Sequence, residues 1–165
     1  VHVGTAEPFC PSMSKLLVRA LRAEKAVVHE GGTYITIEGP RFSTRGESNT
    51  FRSWGMSLVG MTASPEVFLA REAEICYSTM AHVTDYDVWH VSEEAVSVDM
   101  VVRTLHHNTE LAQRTLVRLV DMLDKEEPET CGCEHALENA FITNREKIDP
   151  AAKDKLRLLV SKYLD

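Results

Sequence analysis

Two carboxylates, Asp85 and Asp87, stand two residues apart in Val83-Thr84-Asp85-Tyr86-Asp87. In an extended chain, residues i and i+2 point to the same side. Such a pair can accept hydrogen bonds from an amine, share a proton or hold a cation. They follow the run from Ile75 to Val83, in which Ile75, Cys76, Tyr77, Met80, Ala81 and Val83 are apolar. A near-continuous apolar run suits a strand covered on both faces. Ligands of open α/β sheets bind at the carboxyl ends of the strands. The competing reading of the same residues is a solvated turn, where Asp is common.

The elements that must position the pair can be read outward from it. Ser57 to Gly60 is a short strand leading into Met61-Thr62-Ala63. Ser64 caps a helix that has Pro65 at its first position. With the Ile75 run these form a βαβ unit, whose two strands should be parallel. Met61-Thr62 and Asp85-Asp87 would then share one carboxyl edge. Upstream, Ser12 caps a helix to about Glu24, with Leu16, Leu17, Ala20 and Leu21 on one face. Ala26–Glu30 and Thr33–Ile37 flank Gly31-Gly32 and read as a hairpin. Glu38–Ser43 is a loop, and a helix runs from Thr44 to Trp54 and stops at Gly55. Downstream, Ser97 caps a long helix with Val98, Val101, Val102, Leu105, Leu111, Leu116, Leu119, Val120 and Leu123 at helical spacing, interrupted near Asn108. Another helix is expected from Glu134 to Phe141. Asp149-Pro150 starts a last one, with Leu156, Leu159, Val160 and Tyr163 inward.

The 165 residues are read as a single domain, 1–165, with 44% hydrophobic and 26% charged residues, the proportions of an ordinary globular protein. A formal charge of -7 argues against a nucleic-acid partner, which calls for a basic patch. No apolar run reaches the roughly 18 residues of a membrane span, and no signal peptide is recognisable. Four cysteines are too few for a disulfide scaffold, so a cytoplasmic setting is expected.

Three stretches, Thr36-Ile37-Glu38-Gly39-Pro40-Arg41-Phe42-Ser43, Met61-Thr62-Ala63-Ser64-Pro65-Glu66 and Val83-Thr84-Asp85-Tyr86-Asp87-Val88-Trp89, occur in that order. Together they resemble the trimeric purine nucleoside phosphorylases, and among these the branch that cleaves 5′-methylthioadenosine. The likeness runs from Val1 to about Leu123 and is looser beyond. It implies an α/β fold with a twisted, mixed central sheet flanked by helices, as in the purine and uridine phosphorylases. It implies phosphorolysis, in which phosphate displaces adenine from C1′ to leave 5-methylthioribose 1-phosphate. No metal and no organic cofactor are implied; inorganic phosphate is the second substrate. By the same resemblance Phe42 packs on the purine with Ser43 beside it, and Met61 lies against ribose. Thr62 offers its hydroxyl to phosphate. Asp85 and Asp87 face the purine amino group and N7. Val98 and Val101 line the 5′ end of the sugar, and His2 reaches the methylthio group of a neighbouring subunit in a homotrimer.

Relatives that prefer 6-oxopurines carry Glu after the equivalent of Phe42, Asn at that of Asp85 and His at that of Val98; this chain has Ser43, Asp85 and Val98. An ionised carboxylate only accepts hydrogen bonds, which suits an exocyclic amine. An ordinary aspartic acid is almost wholly ionised at pH 7. Asp85 therefore either holds its proton through burial or through Asp87 and acts as general acid, or accepts from a purine protonated by water. The family's phosphate site also draws on an amino-terminal half that this sequence does not carry. The chain is thus expected to be the carboxyl-terminal portion of a longer phosphorylase, inactive without the rest, which a separate chain can supply. Two alternatives are a phosphorylase of adenosine or 6-oxopurine nucleosides, and a non-catalytic purine-binding or assembly subunit.

Other residues read more simply. Trp54 and Trp89 suit packing, and His106-His107 an exposed helix face. Asp124–Glu129 suits a solvated helix end. Cys131-Gly132-Cys133 lacks the further partners a zinc site needs and reads as two thiols or a labile bridge; archaeal relatives carry similar Cys-X-Cys pairs, where disulfides occur. Cys10 and Cys76 read as buried.

Overall fold

The computed structural model describes residues 1–90, 98–126 and 129–164, without the side chains of residues 98, 100 and 101. Its helices are α1 (Pro11–Ala23), α2 (Arg45–Ser53), α3 (Ala63–Glu72), α4 (Val98–Lys125), α5 (Pro150–Lys155) and α6 (Arg157–Leu164). The strands are β1 (Tyr34–Thr36) and β2 (Leu58–Gly60). The class is α/β. The chain divides into two units, one of residues 1–14, 65–79 and 128–165, the other of 15–64 and 80–127.

In the second unit β1 and β2 are parallel, with Thr36 opposite Gly60. The hairpin expected around Gly31-Gly32 does not form, and Val27 is exposed. Both glycines take positive φ, 80° and 126°, and lead the chain into β1 instead of reversing it. A parallel pair needs a crossover, and α2 provides it. The βαβ unit is therefore β1-α2-β2, one element earlier in the chain than expected.

The ends of α2 explain why it is so short. Thr44 Oγ1 accepts from the Glu47 backbone, and the Glu47 carboxylate accepts from the Thr44 backbone, a full capping box. Such a cap satisfies two of the amides that a helix start leaves orphaned. At the other end Gly55 N–H bonds Arg52 O and Met56 N–H bonds Phe51 O, with Gly55 at φ 78°. That left-handed exit is the usual task of glycine. The same pair of bonds ends α1 at Lys25 and α3 at Glu74, at φ 60° and 57°. Neither of those residues announces a stop.

Helix α4 continues through Asn108, whose side chain bonds Val83 O at 3.2 Å instead of breaking the helix. Its inward line is Asn108, Leu111, Thr115 and Leu119; Val102, Leu105, Leu116 and Val120, expected inside, are exposed. Thr115 is fully buried because its hydroxyl donates to Leu111 O at 2.8 Å. Glu24, after α1, receives Arg118 at 2.5 Å and Arg114 at 3.4 Å. Hydrogen bonding from Arg118 holds its carboxyl below the usual range. Leu16, Leu17 and Ala20 of α1 are buried as expected. His106 and His107 are exposed.

In the first unit α3 turns regular at Pro65, because Ser64 stays extended at φ -102°, ψ 131°. Asp149 accepts from Ala151 N and sets Pro150 at the start of α5. The last helix is split at Leu156, which is exposed, while Val160 is buried. The helix expected from Glu134 to Phe141 is only a 3-10 turn, Cys133–His135. Lys162 and Tyr163 take the place of its continuation: both bond the Glu134 carbonyl and the Glu74 carboxylate. Burial alone would raise the Glu74 carboxyl; donation from Tyr163, Leu137 N and Lys162 lowers it instead. Those bonds hold Glu74 in its left-handed conformation, which costs a non-glycine residue about 1 kcal/mol.

Candidate functional site

Parallel pairing makes both strands of the second unit end at one edge. Ile37 N–H bonds Gly60 O at 2.9 Å, so the loop after β1 leaves beside the loop after β2. Gly39 and Met61 then meet. A side chain at Gly39 would come within 2.8 Å of Met61 Sδ. The loop from 39 to 43 is fixed to α2 by Arg41, which makes a two-pronged pair with Glu47 at 2.8 and 2.6 Å and also donates to Phe42 O. Arg41 and the Thr44 donors pull the Glu47 carboxyl down to about 2. Phe42 is thereby held 81% exposed on a fixed backbone. Ser43 is buried, and its hydroxyl finds no partner among the described residues. Thr62 is exposed and Met61 half-buried.

The carboxylates lie in a different local structure from the one expected. Residues 76–84 form no strand, and Ile75 and Val83 are about 60% exposed. A strand exists only through its ladder, and the backbone bonds here are Cys10 N–H to Tyr77 O, in the first unit, and the Asn108 side chain to Val83 O, in the second. Asp85 and Asp87 do not stand as an extended pair. Asp85 accepts from the Thr84 hydroxyl at 2.7 Å, and Asp87 from Val88 N at 2.8 Å within a turn closed by His90 N–H to Asp87 O. Asp85 is exposed and Asp87 half-buried. The segment is anchored by aromatic contacts: Tyr86 stacks on His90 at 4.6 Å, and Arg52 of α2 lies 3.8 Å over Trp89. Trp89 packs, as its sequence context suggests, whereas Trp54 is exposed.

Val98 and Val101 belong to the first turn of α4, but their side chains and Ser97 lie outside the described residues. His2, in the first unit, has an exposed side chain and is fixed by its backbone N–H to Ala140 O at 2.8 Å. That unit also holds a cleft of about 290 Å³ between Val1, Phe141, Ile148, Leu156 and Val160. None of the expected site residues lines it.

Sequence reasoning missed one constellation. Cys131 and Cys133 do have partners: their sulfurs and those of Cys10 and Cys76 all lie within 4.8 Å of one another. Cys10 and Cys133 are buried; Cys76, expected buried, is half-buried. Burial pushes the Cys76 thiol up, and Cys133 up to about 11, whereas the Cys133 backbone N–H draws Cys131 down. The sequence signals were the Cys-X-Cys pair and the cysteine count; three separate segments supply the four residues, so their meeting was not legible.

The chain is 46% identical over 162 residues to the S-methyl-5′-thioadenosine phosphorylase of Koribacter versatilis, covering 98% of this chain and 55% of that protein. It is 44% identical to the Gloeobacter violaceus enzyme of the same name, with the same coverage. The chain thus spans about half the length of the curated relatives it matches. Its structure superposes on a methylthioadenosine phosphorylase from an antarctic soil metagenomic library with a TM-score of 0.87, at 39% identity over 96% of this chain and 56% of the other. A methylthioadenosine phosphorylase from Schistosoma mansoni in complex with adenine gives 0.68, at 36% identity over 77% of this chain and 50% of the other. The sequence profile described as "Phosphorylase superfamily" matches residues 1–121, more than half of the sequence, and the chain belongs to that family.

Proposed function

We propose that this chain supplies the purine- and ribose-facing part of an enzyme that cleaves 5′-methylthioadenosine with phosphate, giving adenine and 5-methylthioribose 1-phosphate. The observation that carries the reading is the meeting of the 39–43 loop with Met61 at the carboxyl edge of β1 and β2. That edge is where an α/β sheet binds its ligand. The loop displays an aromatic face at Phe42 and a buried hydroxyl at Ser43 that has no partner among the described residues. A flat base covers the first and can bond the second.

The chemistry assigns roles from there. Breaking an N-glycosidic bond builds positive charge on the sugar, as at other glycosidic centres, and negative charge on the departing purine. Met61 supplies an apolar surface to ribose, and Thr62 a hydroxyl to phosphate, which is both nucleophile and counter-charge. Asp85 and Asp87 receive the purine amino group and the proton at N7. Donors and acceptors fixed before reaction cost no reorganisation in the transition state. The role of Asp85 requires its carboxylate to face the base in exchange for its contact with the Thr84 hydroxyl. Val98 and Val101 border the 5′ substituent, and His2 completes the site of the next subunit in a trimer. The reaction is cytoplasmic and needs phosphate alone as co-substrate. The remaining phosphate ligands come from the part of the relatives' length that these 165 residues do not span.

A substrate panel tests the reading. The chain combined with that portion should release adenine from 5′-methylthioadenosine only when phosphate is present, and faster than hypoxanthine from inosine. Faster turnover of inosine would assign it to the 6-oxopurine branch, and adenine binding with no turnover would make it a binding subunit.

A further inference from the structure

Four thiols are gathered in the first unit by residues far apart in sequence. Cys10 precedes α1, Cys76 follows α3, and Cys131 and Cys133 flank the start of the 3-10 turn. All four sulfurs lie within 4.8 Å of one another, and Cys76 and Cys131 are 3.4 Å apart. Zinc bonds to sulfur at about 2.3 Å, so four sulfurs around one zinc are about 3.8 Å apart. The cluster has the size of such a shell. Its surroundings also suit anionic sulfur. Met13 N–H points to Cys10 Sγ at 3.4 Å, and the Cys133 N–H serves Cys131. Arg71 Nη1 lies 3.7 Å from Cys133 Sγ and is itself oriented by Gly4 O. Amide and guanidinium donors to the ligand sulfurs are the supporting contacts that fix a metal's ligands.

We propose that Cys10, Cys76, Cys131 and Cys133 hold one zinc ion as a structural tetrathiolate site. Thiolate donors select zinc among the abundant divalent cations, and four protein ligands leave no position for substrate, which marks a structural site. On binding, four S–H bonds are replaced by four Zn–S bonds and the protons leave to solvent. The resulting charge of minus two is opposed by Arg71 and spread over the amide donors. The one-residue spacing of Cys131 and Cys133 is shorter than that of zinc knuckles, but Cys10 and Cys76 close the shell from elsewhere in the unit. The ion would tie its three segments together. This inference stands apart from the proposed reaction.

Cobalt(II) is the probe. The whole chain is purified, reduced and titrated with cobalt, and its zinc content is measured before treatment. About one zinc per chain is expected, and cobalt should give a sulfur-to-metal charge-transfer band with tetrahedral ligand-field bands, bleached by one equivalent of zinc. Cys76→Ser should weaken binding at least ~100-fold, Cys76→His should retain the ion with shifted bands, and Arg71→Gln should weaken binding about 10-fold with the bands unmoved. A reduced chain without cobalt bands overturns the proposal. So does one whose four thiols react freely in excess zinc, or whose folding is the same with and without zinc, since a structural ion lends its binding energy to folding. Disulfides that after reduction leave a chain unable to take up metal also overturn it.

Discussion

The thiol cluster of the first unit and the loop edge of the second are built on opposite plans. In the cluster, side chains from three segments converge on one another, and two of the four are buried. At the loop edge, side chains point away from a scaffold that fixes their backbone: Phe42 is displayed while Arg41, Thr44 and Glu47 are bonded beneath it. The cluster turns its groups toward one another, whereas the loop edge leaves the Phe42 ring exposed and the Ser43 hydroxyl without a partner among the described residues. Changes in the cluster should therefore act on stability, and changes among the displayed residues should act on turnover.

Asp85→Asn separates the two plans most sharply. It should lower adenine-nucleoside turnover by about 100-fold and shift preference toward inosine, with thermal stability unchanged, because the side chain is exposed and among the described residues bonds only Thr84. Intact turnover in the assembled enzyme would remove Asp85 from the site. The next effect tests whether the scaffold can be uncoupled from what it displays. A Cβ at Gly60 would collide with the Tyr34 hydroxyl and ring, so Gly60→Ala should cost about 2 kcal/mol in urea unfolding and disturb Met61 as well. An unchanged unfolding midpoint would mean that Tyr34 does not pack over β2. Thr44→Ala removes one half of the capping box and should cost about 1 kcal/mol, with a small loss of activity through Phe42. A loss as large as that of Asp85→Asn would show that the cap itself touches the ligand.

The smallest effect is a pH dependence. The folded Glu47 carboxyl sits at about 2, below its ordinary 4.5. A depressed carboxyl lends stability that is complete above the unfolded value and is lost as pH falls through the folded one. The stability lent by the Arg41–Glu47 clasp should thus be complete at pH 5 and decline as pH falls from about 4.5 to 2, with Glu47 itself half protonated at about 2. Carboxyl carbon chemical shifts of Glu47 across that window would check it; a midpoint near 4.5 would mean the clasp is broken in solution.

Local chemistry was legible wherever a bond is made within a few residues. The helix start at Thr44, the stop at Gly55, the entry at Ser64-Pro65 and the Asp149-Pro150 start all rest on contacts within a turn of helix. The stops at Lys25 and Glu74 were not, because those residues take a left-handed conformation that tertiary bonds support. β-rich composition suggested a strand at Ala26–Glu30 and a near-continuous apolar run suggested one at Ile75–Val83, but a strand needs a neighbour to pair with, and composition does not name one.

By itself, then, the sequence determined where most helices lie, the starts at Thr44 and Asp149-Pro150, the stop at Gly55 and the family motifs. Tertiary structure decided which strands pair and in what sense, that Asp85 lies at a bend and Asp87 opens a turn, and that Cys10 and Cys76 join Cys131 and Cys133. The reason is range. Caps and turns are fixed by hydrogen bonds between near neighbours, whereas strand partners and ligand clusters depend on segments that meet only after the chain has folded.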